Sequence, residues 1–374
     1  MSAPWTIRTV RTGAVVIGLL PMLLGLSSGG ASLKVTRLVG NYSLIRAGES
    51  KVVYAFASEG CDGANCSALY RTNVRGAPLT QVTLPPVTTS QSVARVVFAN
   101  PRDGYATVGN YFPSTLYATT NGARTWHKVM SGHDVSYVVT ASANEVLVSS
   151  VKCVPRSDDC GQYTVRRGSL EATHWVTLPV LWKTGDRPNE DYYGPSLAAY
   201  ASTVWEQQTD SAQGGGVYLW TSYNQGRTFV RAKKMFPQLV SVAGCSLYPI
   251  SVTELWAQCP TGMQVSFWHS SNGGASWRSV SQSQFSGTGG GAFDPVNESV
   301  AYLDYGGVQV KGNFVRLSDG GRVATTVSEL KCTNASLLFT SANNGLAACE
   351  KNDTSIQLER TTDGGSRWEN VVLP

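Results

Sequence analysis

The chain has 374 residues, a formal net charge of +5 and only 15% charged side chains. So mild and diffuse a charge gives no mandate for nucleic acid. The scarcity of charge, beside 38 glycines and abundant Ser, Thr and aromatics, suits an exported β-protein and argues against long helices.

Residues 1–31 read as a targeting segment. Arg8 and Arg11 lead into the apolar Gly13–Leu26, and small residues follow at Ser27–Ser32. An apolar run this short is a signal-peptide core; a membrane span needs about 20 residues. Cleavage near Ala31 is expected, with an uncleaved N-terminal anchor as the alternative, and no membrane span is expected in the mature form. Removing the segment takes away two arginines and no acid, so the net charge falls from +5 to +3. Residues 32–374 are expected to form a single domain.

The elements that follow are short strands. Lys51–Ser58 (KVVYAFAS) alternates, Pro85-Pro86 marks a connection, and VARVVFAN, DGYATVG, TLYATT and TWHKV make four consecutive strands between Ser92 and Met130. Further groups are expected at Val35–Leu84, Asp134–Leu178, Ser196–Lys234, Gln238–Gln282, Gly287–Thr326 and Val327–Pro374. Val35–Ala47 could also add a strand to the last group and so join the chain's two ends.

One pattern unites these groups. Leu116–Val129 (LYATTNGARTWHKV) reads as a strand, a tight turn at Asn121-Gly122 and a strand opening on Trp126. It returns at Leu219–Ala232 with Asn224 and Phe229, at Phe267–Val280 with Asn272, Gly274 and Trp277, and at Leu358–Val371 with Asp363, Gly365 and Trp368. Weaker copies align at Leu69–Val82, Tyr163–Leu178 and Phe314–Ala324, the last carrying Asp319. Asn or Asp before Gly suits such a turn, because Gly accepts positive φ and the short polar side chain bonds to nearby amides. The anchors Leu79, Trp126, Trp175, Phe229, Trp277, Ala324 and Trp368 recur every 44 to 54 residues. That is the length of one propeller blade, so the expected fold is all-β, a seven-bladed β-propeller of four-stranded antiparallel blades.

The pattern, seen most fully in SSNGGASW at Ser270–Trp277 and TTDGGSRW at Thr361–Trp368, resembles the Asp-box, or bacterial neuraminidase repeat. The resemblance implies a structural turn between strands three and four, away from the central channel. Sialidases, other glycoside hydrolases and sortilin-like receptors carry such turns. The phrase VFANPRDGYATVG…LYATTNGARTW looks most like exported propellers related to the photosystem II assembly factor. A sialidase would need three arginines converging on a carboxylate. Among inner-strand positions only Arg95 is well placed, with Arg46 possible. Arg124, Arg227, Arg322 and Arg367 fall on or beside the turns.

Eight cysteines fall into four local couples, Cys61/Cys66, Cys153/Cys160, Cys245/Cys259 and Cys332/Cys349. Each lies inside one blade, so disulfides between neighbours are expected. The competing reading is metal ligation, as in CDGANC, but the histidines do not cluster and the export signal favours oxidation. No metal and no cofactor are therefore expected.

One insertion stands out. Pro179–Pro195 (PVLWKTGDRPNEDYYGP) separates blades three and four. Its Trp182, Asp186, Arg187, Glu190, Asp191, Tyr192 and Tyr193 combine aromatics and carboxylates suited to a carbohydrate or a peptide, and long loops on rigid scaffolds tend to bind. The alternative is a solvated connector. A glycosidase needs two carboxylates about 5–10 Å apart, and Asp134, Glu190, Asp191, Asp294 and Asp304 are the loop acids available. Nothing in their spacing selects a pair, and no catalytic residue is assigned. The sequence therefore points to a monomeric, exported, non-catalytic propeller at the cell envelope that binds a protein or glycan, with a glycoside hydrolase on the same scaffold as the alternative.

Overall fold

In the computed structural model the chain forms seven antiparallel four-stranded sheets, each a simple meander. The structure describes residues 38–371 apart from 40, 49, 62–63, 74–78, 89–90, 110–113, 143–144, 152–163, 172–173, 180, 182–195, 211–215, 236–244, 262–263, 281–291, 308–309, 331, 333 and 352–354. The targeting segment lies outside them.

Blade one comprises Asn41–Arg46, Val52–Cys61, Ala64–Asn73 and Thr80–Val82. Blade two begins with Val93–Phe98, Gly104–Val108 and Ser114–Thr119. Its outer strand does not stop at Met130. His127–Ser142 runs on as one strand and becomes the inner strand of blade three, so the two sheets share it. Blade three continues with Glu145–Val151, Thr164–Ser169 and Trp175–Thr177. Blade four starts at Ser196 and blade five at Ser246. Blade six starts at Phe293, and its outer strand, Val323–Leu330, carries it past the expected limit at Thr326. Blade seven comprises Asn334–Phe339, Gly345–Glu350, Ser355–Thr361 and Glu369–Asn370.

The ring closes through blade seven. Leu38 and Val39 pair with Ile356 and Ser355, on the same third strand whose other half pairs with Glu369–Asn370. The first and last described segments of the chain thus complete one outer strand between them.

Burial follows position in the blade. Second strands lie between neighbouring blades and are covered on both faces, so Gly104–Val108 and Gly345–Cys349 are buried throughout. Such strands need continuous small or apolar residues in place of alternation. Outer strands such as Thr80–Val82 and Glu369–Asn370 are largely exposed.

Stacked rings join one blade to the next. Tyr54 of blade one lies on Phe98 of blade two, centroids 3.6 Å apart, and Tyr302 of blade six lies on Phe339 of blade seven at 3.8 Å. A buried ring contributes roughly 1.5–3 kcal/mol by area alone, so these contacts hold the ring of blades together.

Candidate functional site

A meander puts its first and third hairpins at one end of the blade, here called the turn face. The second hairpin and the connection to the next blade lie at the opposite end, the loop face. The two faces differ in chemistry.

On the turn face the repeated turn is built from local hydrogen bonds. In blade five, Ser270 Oγ accepts from Gly274 N at 2.9 Å, Asn272 Oδ1 accepts from Ser276 N at 2.8 Å, and Asn272 Nδ2 donates to Ser276 Oγ at 2.8 Å. Thr119 and Asn121 in blade two, Ser222 and Asn224 in blade four, and Thr361 and Asp363 in blade seven repeat the scheme. The two residues after the Asn or Asp have positive φ: Gly122 and Ala123, Gln225 and Gly226, Gly273 and Gly274, Gly364 and Gly365. Gly365 meets a second demand, since a Cβ there would overlap the Phe314 ring of blade six. In blade six Gly320 and Gly321 keep the positive φ of the other turns, and Asp319 before them is positive as well, at 51°.

Each turn is also tied to its surroundings. Gly122, Gln225, Gly273, Gly320 and Gly364 donate their N–H to Arg102, Ser202, Thr253, Ser299 and Asn343, on the first hairpin of the same blade. The preceding blade donates to their carbonyls: Arg167 to Gln225 O, Trp205 Nε1 to Gly273 O at 3.0 Å, and Arg278 to Gly320 O. The anchor rings are half-buried. Trp277 Nε1 donates to Gly274 O of its own turn, Trp126 Nε1 to Thr83 O of blade one, and Trp368 packs edge-on to Phe314. Phe229 packs against the cluster around Leu178 of blade three.

The larger anchors are the fully buried Trp205, Trp256, Tyr54, Tyr105 and Tyr302 on the second strands. Tyr54, Tyr105, Trp256 and Tyr302 donate to Pro101, Leu170, Asn297 and Ala342 of the next blade. Sequence reasoning passed over these rings, although each stands two to four residues after a first hairpin.

The loop face carries the cysteines. Cys245 and Cys259 are bonded, as are Cys332 and Cys349, in each case joining the start of an inner strand to the end of a second strand. Cys61 ends the second strand of blade one and Cys66 lies near the start of the third, their side chains being outside the described residues. Cys153 and Cys160 fall in 152–163, also outside. Trp182, Asp186, Arg187, Glu190, Asp191, Tyr192 and Tyr193 are likewise outside, in the connection from blade three to blade four, whose described flanks open on this face.

Two of the acids offered for catalysis, Asp294 and Asp304, are half-buried and buried on blade six. Asp294 and Asp304 are not loop residues, as the sequence suggested, but sit on the first and second strands of blade six; Asp134 is also in a strand. The register puts Asp294 opposite Tyr302, hence on the same face of the blade as Asp304. Asp294 accepts from the Phe339 N–H of blade seven and pairs with Arg46 of blade one at 3.8 Å. Burial raises its pKa to about 6 against the opposing pull of Arg46 and Phe339 N–H. Asp304 is 4% exposed, and burial alone lifts it to about 7. Its Oδ1 has no partner among the described residues. Asp294, through Phe339 N–H and Arg46, ties blade six to blades seven and one. Arg95 is exposed on the inner strand of blade two. The described inner strands carry only these two arginines, Arg46 and Arg95.

A second polar cluster spans blades five and six on the turn face. His269 Nε2 lies 3.0 Å from Glu254 Oε2, and its ring lies against Trp256 at 4.5 Å. Burial, then Arg278 and Arg322, lower the histidine's pKa to about 4, so the imidazole is neutral at pH 7; neither its Nε2 nor Glu254 Oε2 has a hydrogen-bond partner among the described residues. Among the described residues no group of three or more metal-ligating side chains gathers, and no helix is long and apolar enough to cross a membrane.

No family model and no curated protein matches the sequence. Solved structures do share the fold. A puromycin hydrolase superposes with TM-score 0.62 at 12% identity over 93% of this chain and 55% of its own. Prolyl oligopeptidase B from Galerina marginata gives 0.60 at 13% over 90% and 51%. The structure titled YCF48 bound to D1 peptide gives 0.49 at 13% over 78% and 86%. The chain spans just over half the length of the two peptidases. At such identities the likeness shows the fold alone: the chain is a seven-bladed β-propeller.

Proposed function

We propose that this propeller is an exported, non-catalytic binding or assembly module of the Asp-box type, acting on a protein or glycan at the cell envelope. Residues 1–31 serve as its signal peptide and 32–374 as its single domain. The observation that carries the reading is the asymmetry of the two faces. Among the described residues the turn face is made of short, hydrogen-bonded turns committed to structure. The loop face has the bonded cysteines, which imply an oxidising compartment, and the longest connections. The partner binds there, and Trp182, Asp186, Arg187, Glu190, Asp191, Tyr192 and Tyr193 supply contacts. Rings and carboxylates on one loop suit either a sugar or a peptide.

The test is binding of the purified protein to a glycan array and photo-crosslinking to envelope proteins, each repeated with Trp182→Ala/Tyr192→Ala/Tyr193→Ala. Loss of a saturable signal in the triple variant is expected. A signal untouched by it, or abolished instead by turn-face substitutions, would reject the loop face. The alternative, a glycoside hydrolase using Glu190 and Asp191, requires turnover of fluorogenic glycosides that disappears in Glu190→Gln/Asp191→Asn.

A further inference from the structure

The outer edge of blade six differs from the other outer edges. Its strand Val323–Leu330 has eight residues, against three, three, five, two and two for the separate outer strands of blades one, three, four, five and seven. Among the described residues no strand pairs with its outer side. It carries no proline and only one charge, Glu329. Edges this long are ordinarily shortened, charged or covered, because their free N–H and C=O groups template another strand. A bulge at Val327 breaks the register, which leaves Val323–Thr326 as the regular segment. Val323 is 50% exposed, and Thr325 and Thr326 are exposed as well.

A groove of about 400 Å³ opens beside this segment, between the outer strands of blade six and the turn of blade seven. Arg316, Ser318, Thr325, Val327, Asp363 and Ser366 line it. Arg316 is directly opposite Thr325 in the register. The matching arginine of blade three, Arg167, gives its guanidinium to the next blade's turn at Gln225 O and to Glu145. Arg316 does neither. Its Nε is buried without a hydrogen-bond partner, and no described carboxylate lies within ion-pair distance. Asp363, the acid of the groove, is committed to its own turn through Thr361 Oγ1 and Arg367 N.

We propose that the blade-six edge is a docking site for an extended peptide of a partner protein. The peptide adds as a fifth strand along Val323–Thr326 and places an Asp or Glu side chain on Arg316. Strands lie about 4.8 Å apart, so Arg316 is roughly 10 Å from an added strand, a gap that a glutamate and an arginine span together. Main-chain bonds supply affinity and the groove supplies the choice of side chain. This rim site is separate from the loop face.

The probe is a positional-scanning library of nine-residue peptides, acetylated and amidated to remove terminal charges, presented to the purified protein. Enrichment of Asp or Glu at one position is expected, with at least tenfold tighter binding than the matching amide. That advantage disappears in Arg316→Met and survives in the control Arg367→Met. N-methylation of alternate peptide residues abolishes binding in one register and not the other. The proposal is overturned by no binding, by no acidic preference, by a preference that persists in a folded Arg316→Met, or by indifference to N-methylation. Self-association of the protein that competes with the peptide would assign the edge to a second copy and overturn it equally.

Discussion

Asp304→Asn should stabilise this protein at pH 8 relative to pH 5, with a size set by the burial of one carboxyl. Asp304 is 4% exposed, and its pKa rises from 3.8 to about 7 with desolvation as the sole cause. The native state therefore holds a proton that the unfolded chain releases between those values. Stability contributed by the neutral form is complete below about pH 4 and is lost as pH rises to about 7. One pKa unit corresponds to about 1.36 kcal/mol, so the full penalty of the ionised form approaches 4 kcal/mol, and about 3 kcal/mol of it accrues between pH 5 and pH 8. Asparagine has the same shape and does not ionise. The amide has its own desolvation cost of about 1–3 kcal/mol, but that cost is the same at both pH values. Equilibrium urea unfolding of both proteins at pH 5 and pH 8 gives the double difference, in which His269 and every other titrating group cancel. A variant advantage larger at pH 8 by about 3 kcal/mol is expected. An advantage equal at the two pH values would refute the assignment of Asp304 as a buried carboxyl that is neutral in mild acid.

His269 should act with the opposite sign. Its folded pKa of about 4 lies below the ordinary 6.5, so its contribution is lost as pH falls from 6.5 to 4; a flatter acid limb in the unfolding profile of His269→Gln checks this. Trp205→Phe keeps most of the ring but removes the bond to Gly273 O, and should cost about 1–3 kcal/mol in thermal or urea unfolding. Because Trp277 is only half-buried, Trp277→Ala should cost less than Trp205→Ala, an order that paired melts would test. Cys245→Ala/Cys259→Ala opens a 14-residue separation and should cost about 3 kcal/mol more under oxidising conditions than under reducing ones. Deleting residues 38 and 39 should lower the unfolding midpoint and expose Ser355–Ile356 to amide hydrogen exchange, while the exchange of blades two to five stays unchanged.

The parts legible in the sequence are those made by residues close together in it. Ser270, Asn272, Gly274 and Ser276 specify one turn within seven positions, and equivalent sets at 119–125, 222–228 and 361–367 set the period. The limits of the blades were harder. RVATTVSEL has no breaker, so nothing marks Thr326 as an end, and the strand runs on to Leu330. Asp294 precedes Pro295 and Asp304 precedes Tyr305-Gly306, contexts that suggest turns, yet pairing with Tyr302 and Phe314 of the neighbouring strands overrides them.

The contacts of Arg46 with Asp294 and Phe339 lie beyond any local signal, because they join residues 248 and 293 positions apart and exist only once the ring has closed. Their distance in sequence matters to their role. Six interfaces of a seven-bladed ring join blades consecutive in the chain and carry little loop-closure cost, whereas the seventh joins its two ends. That junction is braced in three ways among the described residues: a shared outer strand from residues 38–39 and 369–370, a hydrogen bond from Leu44 N to Ser336 Oγ, and an arginine of blade one that reaches both blade seven and blade six. An Arg46→Met substitution should therefore loosen blade one against blades six and seven before it affects any other interface. Interface-resolved hydrogen exchange would show this as faster exchange confined to Asn334–Phe339, Phe293–Pro295 and Asn41–Arg46. Uniform acceleration around the ring would mean that closure is shared by all seven interfaces and that the Arg46–Asp294 pair has no special part in it.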